Sequence, residues 1–97
     1  MKEKIVDVMK ERDYDLSATS GEDTFHFHTP LGENPMLVCD VLIRSEESIE
    51  FRFRYVTKKC FELCSGWISP FFDNEQFNKF ENWFWDLATV LYDYEKR

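Results

Sequence analysis

Apolar residues recur every three to four positions at both ends of the chain, and several segments in between alternate between apolar and polar residues. Near the N-terminus, Ile5, Val8 and Met9 fall with Arg12 on one side of a helix, while charged residues fill its other sides. We therefore predict an amphipathic helix from about Lys2 to Arg12 that packs by one face.

A second, longer helix is predicted from Asp73 to about Glu95. Asp73 followed by Gln76 has the spacing of a capping box, and Phe72 and Phe77 occupy the positions of a hydrophobic staple. The residues that recur at spacings of three and four predict its buried stripe: Phe77, Phe80, Phe84, Leu87, Leu91 and Tyr94.

The alternating segments between the helices predict β-hairpins. In the first hairpin, Gly21-Glu22 suits a two-residue type II′ turn, which requires glycine at its first position. This turn sets the register, and alternation assigns each pair of residues to one face of the sheet. The predicted pairs are Ala18–Phe25 and Leu16–Phe27 on the inner face, and Ser17–His26 and Asp15–His28 on the outer face.

The segments MLVCDVLIR and SIEFRFRYV predict a second hairpin with a loop at residues 46–48. The predicted register places Asp40 opposite Arg54 and Arg44 opposite Glu50, two favourable pairs on the outer face. The inner residues would be Leu37, Cys39, Val41, Ile43, Ile49, Phe51, Phe53 and Tyr55. The outer face of the sheet would carry His26, His28, Val38, Asp40, Leu42, Arg44, Glu50, Arg52, Arg54 and Val56.

The segment 60–65 (CFELCS) is compatible with a fifth strand, which would turn Phe61 and Leu63 inward, or with a helical turn. The predicted order is therefore α-β-β-β-β-(β)-α. Its natural assembly is an α+β two-layer sandwich: an antiparallel meander of four to five strands carries both helices on one face, and the other face stays partly open. With 97 residues, the chain has the length of one domain, 1–97.

The composition predicts a packed core and a cytoplasmic protein without a cofactor. Apolar residues make up 43% and aromatic residues 18% of the chain, more than a disordered segment contains. No apolar run reaches the length of a membrane span, and the charged N-terminus is unlike a secretory signal, so we expect no membrane partner. Cys39, Cys60 and Cys64 form an odd set of thiols, as expected in a reducing compartment.

The net charge of −7 is unevenly distributed and bears on the choice of partner. Acids without Lys or Arg extend from Asp13 to Asp40, and acids dominate again from Asp73 to Glu95. Such a surface repels phosphates, so we expect no direct binding to nucleic acid. It can attract a basic protein, although acidity also simply confers solubility. The acids expected to contact a partner are Asp13, Asp15, Glu22, Asp23, Glu33, Glu75, Asp86 and Asp93.

Two aromatic features are compatible with packing or with binding. Trp85 and Tyr92, seven residues apart, are predicted on a side of the last helix turned away from its buried stripe. There they either pack on the first helix or anchor a partner. The segment 66–72 (GWISPFF) either lies under the long helix or forms a contact site.

Two sets of polar residues have the composition of chemical sites. Zinc could be bound by His26, His28, Cys60 and Cys64, but the cysteine spacing is not that of a zinc knuckle, so this set is an alternative to a protein without metal. A serine with its base could come from Ser17, His26, Asp15 and His28. No Gly-rich turn or helix N-terminus is placed to supply an oxyanion hole, so we predict no enzyme.

Asp13, Tyr14, Ser20 and Gly21 follow a short amphipathic helix within the segment 10–21 (KERDYDLSATSG). In this first fifth of the chain, the sequence resembles small acidic phage proteins of the anti-CRISPR kind. The resemblance implies a small antiparallel sheet after the helix and an acidic face that imitates nucleic acid to block an RNA-guided nuclease. The aromatic C-terminal helix departs from that pattern. Bacterial toxin-immunity proteins and small acidic secretion chaperones look similar at this coarse level.

Together these observations favour a small acidic, non-enzymatic protein that binds a basic or nucleic-acid-handling protein as a stoichiometric inhibitor, of anti-CRISPR or immunity type. The alternative is a small ligand- or metal-binding α+β module, which could form a homodimer through the apolar residues of its open sheet face: Val38, Leu42 and Val56. The sequence leaves the partner's identity and the oligomeric state open.

Overall fold

The computed structural model describes residues 1–31, 36–57, 59 and 62–96, which form two helices and five strands. The helices are α1 (Lys2–Glu11) and α2 (Asn74–Glu95). The order along the chain confirms the predicted α+β fold, and segment 60–65 contributes a strand at its described residues. The strands are β1 (Asp15–Ser20), β2 (Thr24–Pro30), β3 (Met36–Ser45), β4 (Ser48–Val56) and β5 (Glu62–Cys64).

The strands form one antiparallel meander in the order β1-β2-β3-β4-β5. Residues of β2 and β4 alternate between buried and half-buried, because one face of the sheet packs against the helices and the other is less covered. Both helices contribute to a single core, with Ile5 and Met9 from α1 and Phe77, Phe84 and Ala88 from α2. The two-layer arrangement predicted from the sequence is therefore confirmed.

The β1–β2 hairpin departs from the predicted register because β1 contains a bulge. The observed pairs are Asp15–His28, Leu16–Phe27, Ala18–His26, Thr19–Phe25 and Ser20–Thr24. Beyond Ser17 every pair shifts by one position, so the predicted partners of Ser17 and Ala18 are wrong. The loop has three residues, 21–23, and Gly21 has a φ of +66°, which glycine adopts without strain. The bulge turns Ala18 and Ser20 onto the outer face of the sheet.

The β3–β4 hairpin is shifted by two residues from the predicted register. Asp40 lies opposite Arg52 rather than Arg54, and Glu50 lies opposite Leu42 rather than Arg44. A shift of two preserves the alternation, so the assignment of residues to the two faces is correct. The predicted charge pairs still form, but along diagonals. Arg54 Nε lies 2.6 Å from Asp40 Oδ2, and Arg44 donates a hydrogen bond to Glu50.

Helix α2 begins with the predicted cap. Asp73 Oδ1 accepts a 3.1 Å hydrogen bond from the backbone N–H of Gln76. The Gln76 side chain donates to the carbonyl of Ser69 rather than completing the reciprocal bond of a capping box. Neither helix of the described residues is long and apolar enough to span a membrane.

The buried face of α2 is rotated relative to the predicted stripe. Phe77 and Phe84 are buried as predicted, but Leu87 and Tyr94 are 39% and 68% exposed. Apolar residues cover more than half of the circumference of this helix, so their spacing alone does not select the side that packs. The residues that continue the buried face are Ala88, which is fully buried, and the half-buried Trp85, Leu91 and Tyr92.

Contacts from the end of α1 fix the rotation of α2. The Arg12 guanidinium lies 3.8 Å from the centroid of the Phe77 ring and donates a 2.5 Å hydrogen bond to Asn74 Oδ1. Tyr14, directly before β1, donates a 2.6 Å hydrogen bond to Glu81 Oε2. These contacts hold Phe77 and Glu81 towards the body of the protein, and the opposite side of α2 faces solvent.

Candidate functional site

Four large apolar residues lie exposed in one line along α2. Trp83, Leu87, Val90 and Tyr94 follow one another at spacings of four, three and four, and are 50%, 39%, 66% and 68% exposed. These spacings place them on one side of the helix, and we call them the outer stripe. Single exposed apolar residues are common on protein surfaces, but a continuous apolar patch marks an interaction site.

Trp83 is held in place although half of its surface is exposed. Its ring centroid lies 6.4 Å from that of the half-buried Phe80 and 6.3 Å from that of the buried Phe84, and both contacts are edge-on. An aromatic side chain positioned in advance loses little conformational entropy when it binds. Trp83 is therefore a suitable anchor for a partner.

Acidic residues border the outer stripe. At 100° per residue, Asp86 and Asp93 lie beside the stripe on its polar side, and Glu75 lies on the same side near the helix start. All three are exposed. Lys79 is also on this border, and its ammonium lies 5.9 Å from the centroid of the Phe80 ring. The border is therefore acidic along the C-terminal half of the helix, beside Leu87, Val90 and Tyr94.

A groove of about 340 Å³ runs between the C-terminal half of α2 and the sheet edge at β5. Tyr94 belongs both to this groove and to the outer stripe, so the two apolar surfaces are continuous. Tyr55, beneath the helix end, donates a 3.3 Å hydrogen bond to Glu95 Oε2. The residues that line the groove are Thr57, Lys59, Glu62, Leu63, Leu91, Tyr94 and Glu95.

The aromatic residues singled out in the sequence have mainly structural contacts. Trp85 and Tyr92 are half-buried and pack against the core, in agreement with the packing interpretation. Phe71 is buried, and Trp67 stacks on the guanidinium of Arg52 at 4.6 Å. The sequence reasoning missed Trp83 and Val90, although the regular spacing of the four outer-stripe residues is itself a signal of a second apolar face.

The acids predicted to contact a partner fall into two groups. Asp13, Asp15, Glu22 and Asp23 are exposed at β1 and in the loop that follows it. Glu33 lies outside the described residues. The second group consists of the acids on α2, which contacts β4, three strands away from β1. The two groups therefore lie on different elements, and those on α2 adjoin exposed apolar surface.

On the outer face of the sheet, the buried carboxylate of Asp40 contacts three basic side chains. Arg52 Nε and Arg54 Nε lie 2.8 Å and 2.6 Å from Oδ2, and His26 Nδ1 lies 2.6 Å from Oδ1. Burial alone would raise the pKa of Asp40, but hydrogen bonds from Arg54, His26 and Arg52 outweigh it and lower that pKa. The bond to Asp40 in turn raises the pKa of Arg54.

The alternative zinc set is not brought together. His26 lies on β2, whereas Cys64 on β5 pairs with Arg54, so three strand spacings, or about 14 Å, separate the two ligands. His28 is half-buried on the same face as His26, and Cys60 lies outside the described residues. Within the described part of the chain, no group of three or more His, Cys, Asp or Glu side chains is placed to hold a metal ion.

No family model matches the sequence, and neither the curated proteins nor the solved structures compared with this chain give a match. A functional interpretation therefore depends on the chain's own residues.

Proposed function

We propose that the protein acts by binding a basic protein partner through the outer stripe of α2 and its acidic border, a role that itself requires no catalysis. The observation that carries the proposal is the line of four exposed apolar residues, two of them aromatic, on a helix whose opposite side packs against the core. Interface energy concentrates in such aromatic anchors, with acids at the rim guiding association.

The charge of the protein favours a basic partner over a second copy of the same chain. The net charge is −7, so two copies would repel each other. Pairing two outer stripes would also bring the acidic borders of both helices close together. A partner with Lys or Arg around an apolar groove would instead pair with Asp86 and Asp93 while it covers Val90 and Tyr94.

The size of the surface indicates that the partner also covers the groove beside β5. A stable interface buries about 800 Å² on each protein. The exposed parts of the four outer-stripe residues amount to roughly half of that area, taking about 150–250 Å² for a whole aromatic side chain. The groove continues the apolar surface past Tyr94 and supplies further contact area, bounded by Leu63 and Leu91.

Inhibition of a nucleic-acid-handling protein is the particular form of this function that we propose. Proteins that bind nucleic acid present Lys and Arg to neutralise phosphates, so they offer the charge that this surface requires. A small acidic protein that occupies such a surface acts stoichiometrically, as inhibitors of the anti-CRISPR or immunity type do.

The experiment compares the wild-type chain with two double variants. Leu87→Gln/Val90→Gln replaces two apolar side chains of the outer stripe by glutamine, which is well tolerated in a helix. Glu46→Gln/Glu47→Gln is the control and changes two exposed residues of the β3–β4 turn. Each protein captures partners from an extract of the source organism, and the affinity for the identified partner is then measured by calorimetry at two salt concentrations.

We expect one basic partner, bound about tenfold or more weakly by the stripe variant and with unchanged affinity by the turn variant. The affinity for the wild-type chain should fall as salt increases. Equal affinity of the stripe variant and the wild type would refute the proposed surface, and a partner without excess basic charge would refute the proposed chemistry.

A second candidate function follows from the groove itself. A volume of about 340 Å³ lies within the range of small-ligand sites, and apolar side chains of Leu63, Leu91 and Tyr94 face it. An apolar small molecule could occupy it instead of a protein. Leu63→Trp would fill the groove without changing a residue of the outer stripe, so loss of a ligand detected by native mass spectrometry in this variant, but not in Leu87→Gln/Val90→Gln, would favour the second candidate.

A further inference from the structure

Three side chains form a continuous hydrogen-bonded chain across neighbouring strands on the outer face of the sheet. Ser20 Oγ on β1 lies 2.7 Å from Nε2 of His26 on β2, and Nδ1 of His26 lies 2.6 Å from Oδ1 of Asp40 on β3. His26 is directly opposite Asp40 in the sheet register. The bulge at Ser17 completes the arrangement, because it turns Ser20 onto the face that carries His26.

The surroundings of Asp40 determine which nitrogen of His26 carries hydrogen. The Asp40 carboxylate is fully buried and accepts hydrogen bonds from Arg52 and Arg54, which keep it ionised. An ionised carboxylate only accepts, so Nδ1 of His26 carries the hydrogen and Nε2 of the neutral ring is the acceptor. When the ring is neutral, Ser20 donates its hydroxyl hydrogen to Nε2, the arrangement in which an imidazole acts as a general base on a serine.

The serine end of this chain is accessible. Ser20 is exposed, and the His26 side chain is 20% exposed, whereas Asp40 is sealed from solvent by the side chains around it. A reagent can reach Ser20 Oγ from solvent while the orienting carboxylate stays buried.

We propose that Ser20 is a nucleophile, activated by His26 and oriented through Asp40, that reacts with activated carboxylic esters. The bond from Ser20 Oγ to the carbonyl carbon forms as the hydroxyl proton passes to His26 Nε2, and one electron pair of the carbonyl bond moves onto the carbonyl oxygen. That pair re-forms the carbonyl as the bond to the leaving oxygen breaks, and the leaving oxygen takes the proton from His26. The products are acyl-Ser20 and an alcohol. Water then adds to the acyl carbon with His26 again as base, Ser20 Oγ leaves with the proton from His26, and a carboxylic acid is released.

The reaction is expected to be slow. Arg52 and Arg54 share the Asp40 carboxylate with His26, so part of its charge is already offset and the imidazolium is stabilised less than beside an unshared acid. Labelling of a single serine is therefore the appropriate measurement. The site lies on the sheet face opposite the helices, so its reactivity does not depend on the outer stripe of α2.

The probe is a fluorophosphonate, whose phosphorus takes up the serine oxygen as fluoride leaves. Intact-protein mass spectrometry follows the adduct, and peptide mapping locates it. The chain supplies its own controls in its other serines, which should stay unlabelled: Ser17, Ser45, Ser48, Ser65 and Ser69. We expect one adduct on Ser20, absent in Ser20→Ala, and p-nitrophenyl acetate should release an initial burst of one equivalent of nitrophenol, followed by slow turnover, with the same dependence on Ser20.

Two substitutions of His26 distinguish the loss of serine activation from the loss of folding. His26→Gln keeps a polar side chain of similar length, and His26→Ala removes it; circular dichroism shows whether each variant stays folded. Either folded variant should label about 100-fold more slowly than the wild type, the typical contribution of general-base catalysis. Labelling of Ser20 at the rate of the other serines, or at an equal rate without His26, would overturn the proposal.

Discussion

The hydroxyl of Tyr14 donates a 2.6 Å hydrogen bond to Oε2 of Glu81, joining the residue before β1 to the middle of α2 across 67 positions of sequence. This bond and the Arg12–Phe77 contact determine which side of α2 packs. The outer stripe is exposed as a consequence, since it lies on the side away from Glu81 and Phe77.

Replacing Tyr14 with phenylalanine should lower the free energy of unfolding by about 1.5 kcal/mol, because the half-buried Glu81 carboxylate loses a charge-assisted hydrogen bond. Urea denaturation measures the change. Tyr94→Phe is the matched control, since Tyr94 is 68% exposed, and its effect should be close to zero. Equal effects of the two substitutions would contradict the role given to the Tyr14–Glu81 bond.

Ionisation of Tyr14 is expected to require unfolding. Burial above all, with the nearby Glu81 carboxylate, raises the pKa of Tyr14 far above its ordinary value of 10.0. A raised folded-state pKa means that the stability it contributes is present below pH 10 and is lost as the pH rises further. Tyr55 is also buried, and its pKa is raised by burial and by Glu95. In an absorbance titration at 295 nm, Tyr14→Phe should therefore show one tyrosine fewer than the wild type among those that ionise together with alkaline unfolding.

Asp40→Asn should destabilise the fold by about 3 kcal/mol, because Arg52 and Arg54 lose the buried anion that they share. Glu50→Gln, which changes the more exposed pair with Arg44, should cost at most about 1 kcal/mol. Thermal or urea unfolding of both variants makes the comparison. A cost for Asp40→Asn no greater than that for Glu50→Gln would show that the Asp40 cluster does not stabilise the sheet.

The same cluster predicts a pH dependence of stability. The pKa of Asp40 is held below its ordinary value of 3.8, so the unfolded chain takes up this proton first as the pH falls. The stabilisation by Asp40 is therefore complete above about pH 5 and is lost progressively as the pH falls through the folded-state pKa. The unfolding free energy of Asp40→Asn should depend less steeply on pH between about 5 and 2 than that of the wild type.

Phe84→Ala and Val90→Ala test the assigned rotation of α2. Phe84 is fully buried and stacks on Phe53 with 5.7 Å between ring centroids, so its truncation should cost about 3–5 kcal/mol. Val90 is 66% exposed, and its truncation should change stability by less than about 0.5 kcal/mol. Comparable losses for the two variants would mean that the outer stripe is part of the core.

The fold was predictable because its elements are encoded locally. The N-cap at Asp73, the extent of α2 and the faces of β2, β3 and β4 all follow from residues within a few positions of one another. The register of the two hairpins was not predictable in the same way. The bulge at Ser17 depends on pairing with β2, and a shift of two residues in β3–β4 leaves the alternation unchanged, so no local pattern distinguishes it.

Exposed acids on α2 could be predicted from the sequence, but the side of the helix that faces solvent could not. The sequence indicated acids and aromatic residues of the last helix, and Asp86 and Asp93 do border exposed apolar surface. The sequence pattern selected Trp85 rather than Trp83. The side of α2 that packs is fixed by contacts with Arg12 and Tyr14, which are distant from the helix in sequence. The hydrogen bonds that join Ser20, His26 and Asp40 could likewise not be predicted from the sequence, since they exist only in the bulged register.

The central claim, that the outer stripe of α2 touches a basic partner, is tested most directly by site-specific photo-crosslinking. A benzophenone amino acid is placed at Val90, in the middle of the stripe, or at Glu46, in the exposed β3–β4 turn, and each protein is irradiated in the source organism or its extract. We expect a covalent one-to-one adduct with a single basic protein from position 90 and none with that protein from position 46. Adducts with the same partner from position 46 and none from position 90 would contradict it.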